Sequence, residues 1–256
     1  MPCTSHLLAF AAALCGVVHA STNATSSNLH GRALARVITK CTKSNTVAIT
    51  FDDGPHYWTT NLVDMLNNND AKATFFFNGD NYGCIYDSDN AQRVKYAYDQ
   101  GHQVASHTWA HDHLTQISED DLRSQFTRTN TAIKKITGAV PAFVRPPYGE
   151  YNDLVRQVAS DNGQSLVIWD FDSGDSVGVS AADSKKKYKQ LLDSHPNAIL
   201  TLNHETYEST VNNVIPYAIQ QIKAKGYRMV TVAECVGASP YKSRGNPSRR
   251  DSSWAC

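Results

Sequence analysis

The stretch Thr46-Val47-Ala48-Ile49-Thr50-Phe51-Asp52-Asp53-Gly54-Pro55 runs from β-branched and aromatic residues directly into two carboxylates and a Gly-Pro break. A run with no charged residue and no polar alternation reads as a strand buried on both faces, the habit of parallel sheets. The same pattern recurs downstream. Strands are predicted over 46–51, 74–77, 102–106, 142–145, 165–169, 198–202 and 228–232, seven in all. Amphipathic helices are predicted between them over 60–68, 90–100, 118–138, 151–162, 181–193 and 211–225. The clearest opens at Ser118 with Asp121 three residues on, carries Leu122, Phe126, Ile133 and Ile136, and stops at Gly138. Such βα alternation predicts an α/β fold built on a parallel sheet or barrel.

Polar residues gather where these strands end. Asp52 and Asp53 follow the first, His107 and His111 the third, Arg145 the fourth, Asp170, Asp172 and Asp175 the fifth, and His204 the sixth. In parallel βα architectures the carboxyl rim is where loops converge, so residues distant in sequence meet there. His107 and His111 are four apart, a spacing that puts two imidazoles on one side of a helical turn. One carboxylate of the Asp52-Asp53 pair completes a set of ligands for a divalent ion, and the other remains free as a base. His204 suits the matching acid if a carboxylate such as Asp172 keeps it charged and oriented. His113 projects elsewhere on such a turn and reads as a surface residue. Arg145 precedes the rigid turn Pro146-Pro147-Tyr148-Gly149, which aims its guanidinium.

The chain has 256 residues, 41% of them hydrophobic and 19% charged, with 24 basic and 24 acidic side chains. Disorder and a strongly basic nucleic-acid surface are both disfavoured. The balance is uneven: residues 47–240 hold 16 basic against 23 acidic groups, a net −7, while both ends are basic. Residues 1–20, with the uncharged run Leu7–Val18 and a small residue at Ala20, read as an export signal too short to span a membrane. Residues 21–40 are expected to be a flexible leader carrying the sequon at Asn23, residues 41–238 a single catalytic domain, and 239–256 a tail. Loss of the signal leaves Cys41, Cys84, Cys235 and Cys256, an even number with no metal-type spacing. In a secreted protein that predicts two disulfides, with three pairings open.

Five segments, Thr50 to Pro55, His107 to His111, Arg145 to Tyr148, Asp172 to Asp175 and Leu202 to His204, resemble in order the motifs of the polysaccharide deacetylase family. These are metal-dependent carbohydrate esterases with a NodB-like domain, and the likeness extends to their secreted fungal-type chitin deacetylases over roughly 40–238. The resemblance implies a distorted (β/α) barrel of about seven strands that binds Zn2+, Co2+ or another divalent ion. It implies removal of N-acetyl groups from GlcNAc units of chitin or chitooligosaccharides. By motif position Asp52 is the base, Asp53, His107 and His111 are the metal ligands, and Arg145 orients Asp52. His204 is the acid with Asp172 beside it, the Tyr148 backbone N–H stabilises the oxyanion, and Leu202 lines the acetate pocket. The fourth motif usually ends in an aromatic residue. Here Ser176 stands in its place, with Trp169 or Phe171 available to fill the space.

Closing a barrel sets its first and last strands side by side, which pairs Cys41 with Cys235 and leaves Cys84 for Cys256. The expected protein is a secreted monomer with a glycan substrate and neither nucleic-acid nor membrane partners. Rival readings are an O-acetyl esterase on xylan, a peptidoglycan deacetylase, and an inactive sugar-binding relative. The last is opposed by the presence of every ligand, the base and the acid. No G-x-S-x-G elbow supports a serine hydrolase.

Overall fold

The computed structural model describes residues 1–2 and 33–256, and residues 33–256 belong to one unit. In chain order the first elements are β1 (Val37–Ile38), β2 (Thr46–Ala48), β3 (Thr50–Asp52), α1 (Thr59–Asn67), β4 (Thr74–Phe77), α2 (Ser88–Asp99) and β5 (Gln103–Ser106). Then come α3 (Glu119–Thr137), β6 (Ala139–Pro141), β7 (Phe143–Val144), α4 (Asp153–Asp161), β8 (Ser165–Val167), β9 (Phe171–Asp172) and α5 (Ala181–Asp193). The last are β10 (Ala198–His204), α6 (Ile215–Ala224), β11 (Arg228–Val230), α7 (Val232–Val236) and β12 (Tyr241–Arg244).

Ten strands share one sheet in the order β1-β8-β7-β5-β4-β3-β10-β2-β11, with β9 also beside β10. Every pairing in it is parallel. β2 and β3 are successive halves of the opening stretch, both flanked by β10, one meeting β11 and the other β4. Alternation along the strands serves two cores. Val47, Ile49, Phe51, Phe75 and Phe77 join the larger, beneath α1, α2, α5 and α6. Ala48, Phe76, Ala105, Phe143, Val167, Leu200 and Val230 meet in another, each from a different strand. Both faces are covered, so these strands carry no polar stripe.

All seven predicted strands and six predicted helices are present. Around α3, Ser118 accepts from the Asp121 N–H, Glu119, Asp120 and Asp121 lie in the first turn, and Gly138 ends the helix at φ 78°. That arrangement satisfies the free N–H groups and the helix dipole together. Thr210–Val214 forms a π-type turn ahead of α6, so only the second part of the predicted 211–225 helix is α-helical. Sequence reasoning missed the shortest pieces. β1 lies in the expected leader and pairs with β8, and β12 lies in the expected tail and pairs antiparallel with β6. Two or four residues carry too little periodicity to be read as strands.

Disulfides join Cys41 to Cys235 and Cys84 to Cys256, so both ends of the described body are tied down. The export signal and Asn23 lie outside the described residues, apart from Met1 and Pro2. Among the described residues no helix is long and apolar enough to cross a membrane.

Candidate active site

Asp52 is the last residue of β3, in register with His204 at the end of β10. Asp53 follows with φ 71° and turns its carboxylate off the strand direction. His107 leaves β5 with its backbone N–H bonded to the Phe77 carbonyl. The helical turn expected for His107 and His111 does not form. Thr108 and His111 adopt positive φ of 68° and 57°, and an irregular loop brings the imidazoles to ring centroids 5.0 Å apart. The loop is held from behind: Gln125 Oε1 accepts from the Trp109 and Ala110 N–H groups, and Asn78 donates to the His107 carbonyl.

Among the described residues, Asp53, His107 and His111 are the one group of His, Cys, Asp or Glu whose ligand atoms converge, within 4.8 Å of one another. His111 Nε2 is 3.3 Å and His107 Nε2 3.5 Å from Asp53 Oδ1. His107 Nδ1 donates to the Arg145 carbonyl at 2.7 Å, which leaves a lone pair on Nε2 in the neutral ring. Burial, with His107 beside it, pulls His111 down to about 4, so His111 is neutral near pH 7. Asp53 Oδ1 is buried with no hydrogen-bond partner. Two imidazole nitrogens facing an unpartnered carboxylate oxygen are satisfied by a cation, and a two-nitrogen, one-oxygen set suits a divalent metal ion.

Asp52 is fixed separately. Arg145, fully buried, donates to Asp52 Oδ1 at 2.8 Å and to the Thr50 hydroxyl at 2.6 Å. Its remaining nitrogens reach the Val167 and Ile168 carbonyls, with Phe76 and Trp169 flanking the guanidinium plane. A guanidinium so enclosed cannot swing away, and it restricts Asp52 through one oxygen while Oδ2 lies 3.7 Å from His107 Nε2.

His204 does not pair with Asp172. Its Nδ1 lies 2.8 Å from Asp175 Oδ1, while Asp175 Oδ2 accepts from the His204 backbone N–H and the Thr210 hydroxyl. Asp172 instead accepts from the Gly174 N–H at 2.7 Å, folding the turn that delivers Asp175. Burial alone would lower His204, but the hydrogen bond and charge of Asp175, followed by the charges of Asp52 and Asp53, push it up to about 9.

Asp52, Asp53, His107, His111 and His204 line one cavity of about 440 Å3, together with Pro146, Tyr148, Trp169, Asp172, Ser176, Val177, Leu202 and Tyr207. Trp169 therefore faces the site, whereas Phe171 is buried in the larger core against Tyr188. Tyr207 stands edge-on to His204 at 6.1 Å. Sequence reasoning missed Tyr207 and Glu205. Glu205 is fully buried beneath Gly54 and accepts from the Thr59 hydroxyl, and burial pushes its carboxyl up to about 8. A Cβ at Gly54 would lie 1.5 Å from its Oε1. A polar residue directly after His204 was the available signal. His113 is no ligand; its Nδ1 lies 3.0 Å from Glu150 and its ring stacks on Tyr148.

Residues 39–167 match the polysaccharide deacetylase family model. A chitin deacetylase from Pestalotiopsis sp is 37% identical over 249 residues, 92% of this chain and 79% of that protein. A peptidoglycan-N-acetylglucosamine deacetylase from Bacillus cereus is 33% identical over 194 residues, 73% of this chain and 66% of that protein. The solved chitin deacetylase of Colletotrichum lindemuthianum superposes with a TM-score of 0.78 at 32% identity, covering 84% of this chain and 99% of the other. The likeness thus extends through sequence and fold alike, and the chain belongs to the polysaccharide deacetylase family, as an enzyme of the carbohydrate esterase type.

Proposed function

We propose that the protein is a secreted, divalent-metal-dependent hydrolase that removes N-acetyl groups from GlcNAc units of chitin or chitooligosaccharides and releases acetate. The observation that carries this reading is the convergence of three ligand atoms between two separately held groups, Asp52 on Arg145 and His204 on Asp175. Asp53, His107 and His111 would hold zinc or a similar ion. When bound, such an ion lowers the pKa of a water and polarises the acyl oxygen.

Asp52 takes the proton of the attacking water, and Arg145 holds it aimed. His204 gives a proton to the departing amine through Nε2, because Asp175 holds Nδ1. Burial of both groups keeps bulk water from competing for either proton. The Tyr148 N–H would support the negative charge on the acyl oxygen, and Leu202 and Trp169 are apolar neighbours for the acetyl methyl. The chitin deacetylase relatives favour GlcNAc polymers as substrate. Export is supported by the signal-like run at residues 1–20 and by two disulfides.

Acetate release decides the substrate. Chitin oligomers, colloidal chitin, peptidoglycan and acetylated xylan are compared under one condition, with activity expected on the first two. Turnover confined to xylan or peptidoglycan would refute the chitin assignment.

A further inference from the structure

Tyr148 occupies a conformation that a residue with a Cβ avoids, φ 59° and ψ 4°, and over half of its surface is open to solvent. Exposed and strained, such a residue needs external support to keep one geometry. The support comes from the neighbouring loop. The His113 ring lies flat on the Tyr148 ring, with centroids 4.0 Å apart and planes 11° from parallel. His111 meets the same ring edge-on at 4.7 Å. Glu150, two residues beyond Tyr148, binds His113 Nδ1 at 3.0 Å, so the segment that carries the tyrosine also grips the imidazole stacked on it.

The turn is tight on its own side as well. The Gly149 and Glu150 N–H groups bond back to the Pro146 and Pro147 carbonyls, and Gly149 at φ 70° lies against Trp169. The 107–113 loop is anchored in turn by Gln125, which also donates to Asp112. His113 therefore joins two fixed loops, one carrying the ligands His107 and His111 and the other carrying Arg145 and Tyr148.

We propose that His113, held by Glu150, is a positioning residue that clamps the Tyr148 ring and so fixes the left-handed Tyr148 peptide at the rim of the cavity. The inference rests on the reading that this peptide's N–H faces the acyl oxygen in the reaction. It assigns work to the stack, with the Glu150 contact setting the tilt of the ring. An aromatic ring at position 113 should then suffice, and a methyl group should not.

His113→Ala and His113→Phe are compared with the wild-type protein, each loaded with Zn2+ and checked for metal content, on a chitin oligomer. Loss of the clamp displaces a donor that matters in the transition state, so His113→Ala should lower kcat about tenfold with KM changed less than twofold. His113→Phe should recover kcat to within about twofold of wild type. Crystal structures of the two variants give a readout independent of activity. The Tyr148 ring should leave its place in the alanine variant and stay in the phenylalanine variant. Wild-type kcat in His113→Ala, equal loss in both variants, or a loss carried by KM would each overturn the clamp. A wild-type protein inactive on every GlcNAc polymer would instead refute the functional reading, and the two crystal structures would still decide whether the clamp exists.

Discussion

Replacing Asp175 by Asn tests the acid assignment most directly. The Asp175 side chain is enclosed, and its two oxygens accept three hydrogen bonds, two of them from His204. The rise of His204 from 6.5 to about 9 corresponds to about 3 kcal/mol in favour of imidazolium. Asp175 supplies the leading contributions to that rise, against burial, while Asp52 and Asp53 supply smaller ones that a divalent ion on Asp53 would offset. An opposite charge at this distance is worth about 1–2 pH units. Removing a negative neighbour disfavours the cation, so His204 loses its proton at lower pH. The alkaline limb of kcat should therefore move down by about 1–2 pH units, with a rate loss of about two- to tenfold at pH 8. The acid limb, which does not report on His204, should stay nearly fixed. The assay is kcat against pH on a soluble chitin oligomer, with metal content measured for each variant and Asp172→Asn as the comparison. An Asp175→Asn protein with normal metal whose alkaline limb stays put or moves up would refute the argument. A larger movement in Asp172→Asn would do the same.

Two further outcomes follow from the same geometry. Asp53→Ala should lose metal and activity, whereas Asp52→Asn should retain metal and lose turnover, measured by elemental analysis and acetate release. A metal-free Asp52→Asn protein would show those roles to be reversed. Glu205, whose folded value of about 8 lies above the ordinary 4.5, binds its proton more tightly in the folded state. Its contribution, on the order of 5 kcal/mol in the metal-free protein, is full below pH 4.5 and fades as pH rises through about 8. Glu205→Gln keeps an acceptor for Thr59 and removes the titration, so wild type should weaken relative to it between pH 5 and 8 in urea unfolding. Parallel stability curves would contradict this.

The sequence by itself determined the alternation of strands and helices, because runs of apolar residues with no charge commit strands to burial on both faces whatever surrounds them. It also placed each polar cluster at a strand's carboxyl end, where the loops of a parallel sheet converge. Asp53, His107 and His111 were legible as ligands for that reason, although the expected helical turn proved to be a loop with two positive-φ residues. The choice among Asp170, Asp172 and Asp175 depended on a turn in which Asp172 bonds its own backbone and Gly174 takes φ 80°, local dihedrals that the residue types leave open. Alternation required Trp169 and Phe171 to be judged against the pleat, and only the packed sheet decided that Trp169 lines the cavity while Phe171 enters the core. The stack of His113 on Tyr148 and the burial of Glu205 beneath Gly54 were invisible for the same physical reason. Each joins segments far apart in the chain, so its geometry exists only once β3, β5, β7 and β10 lie side by side.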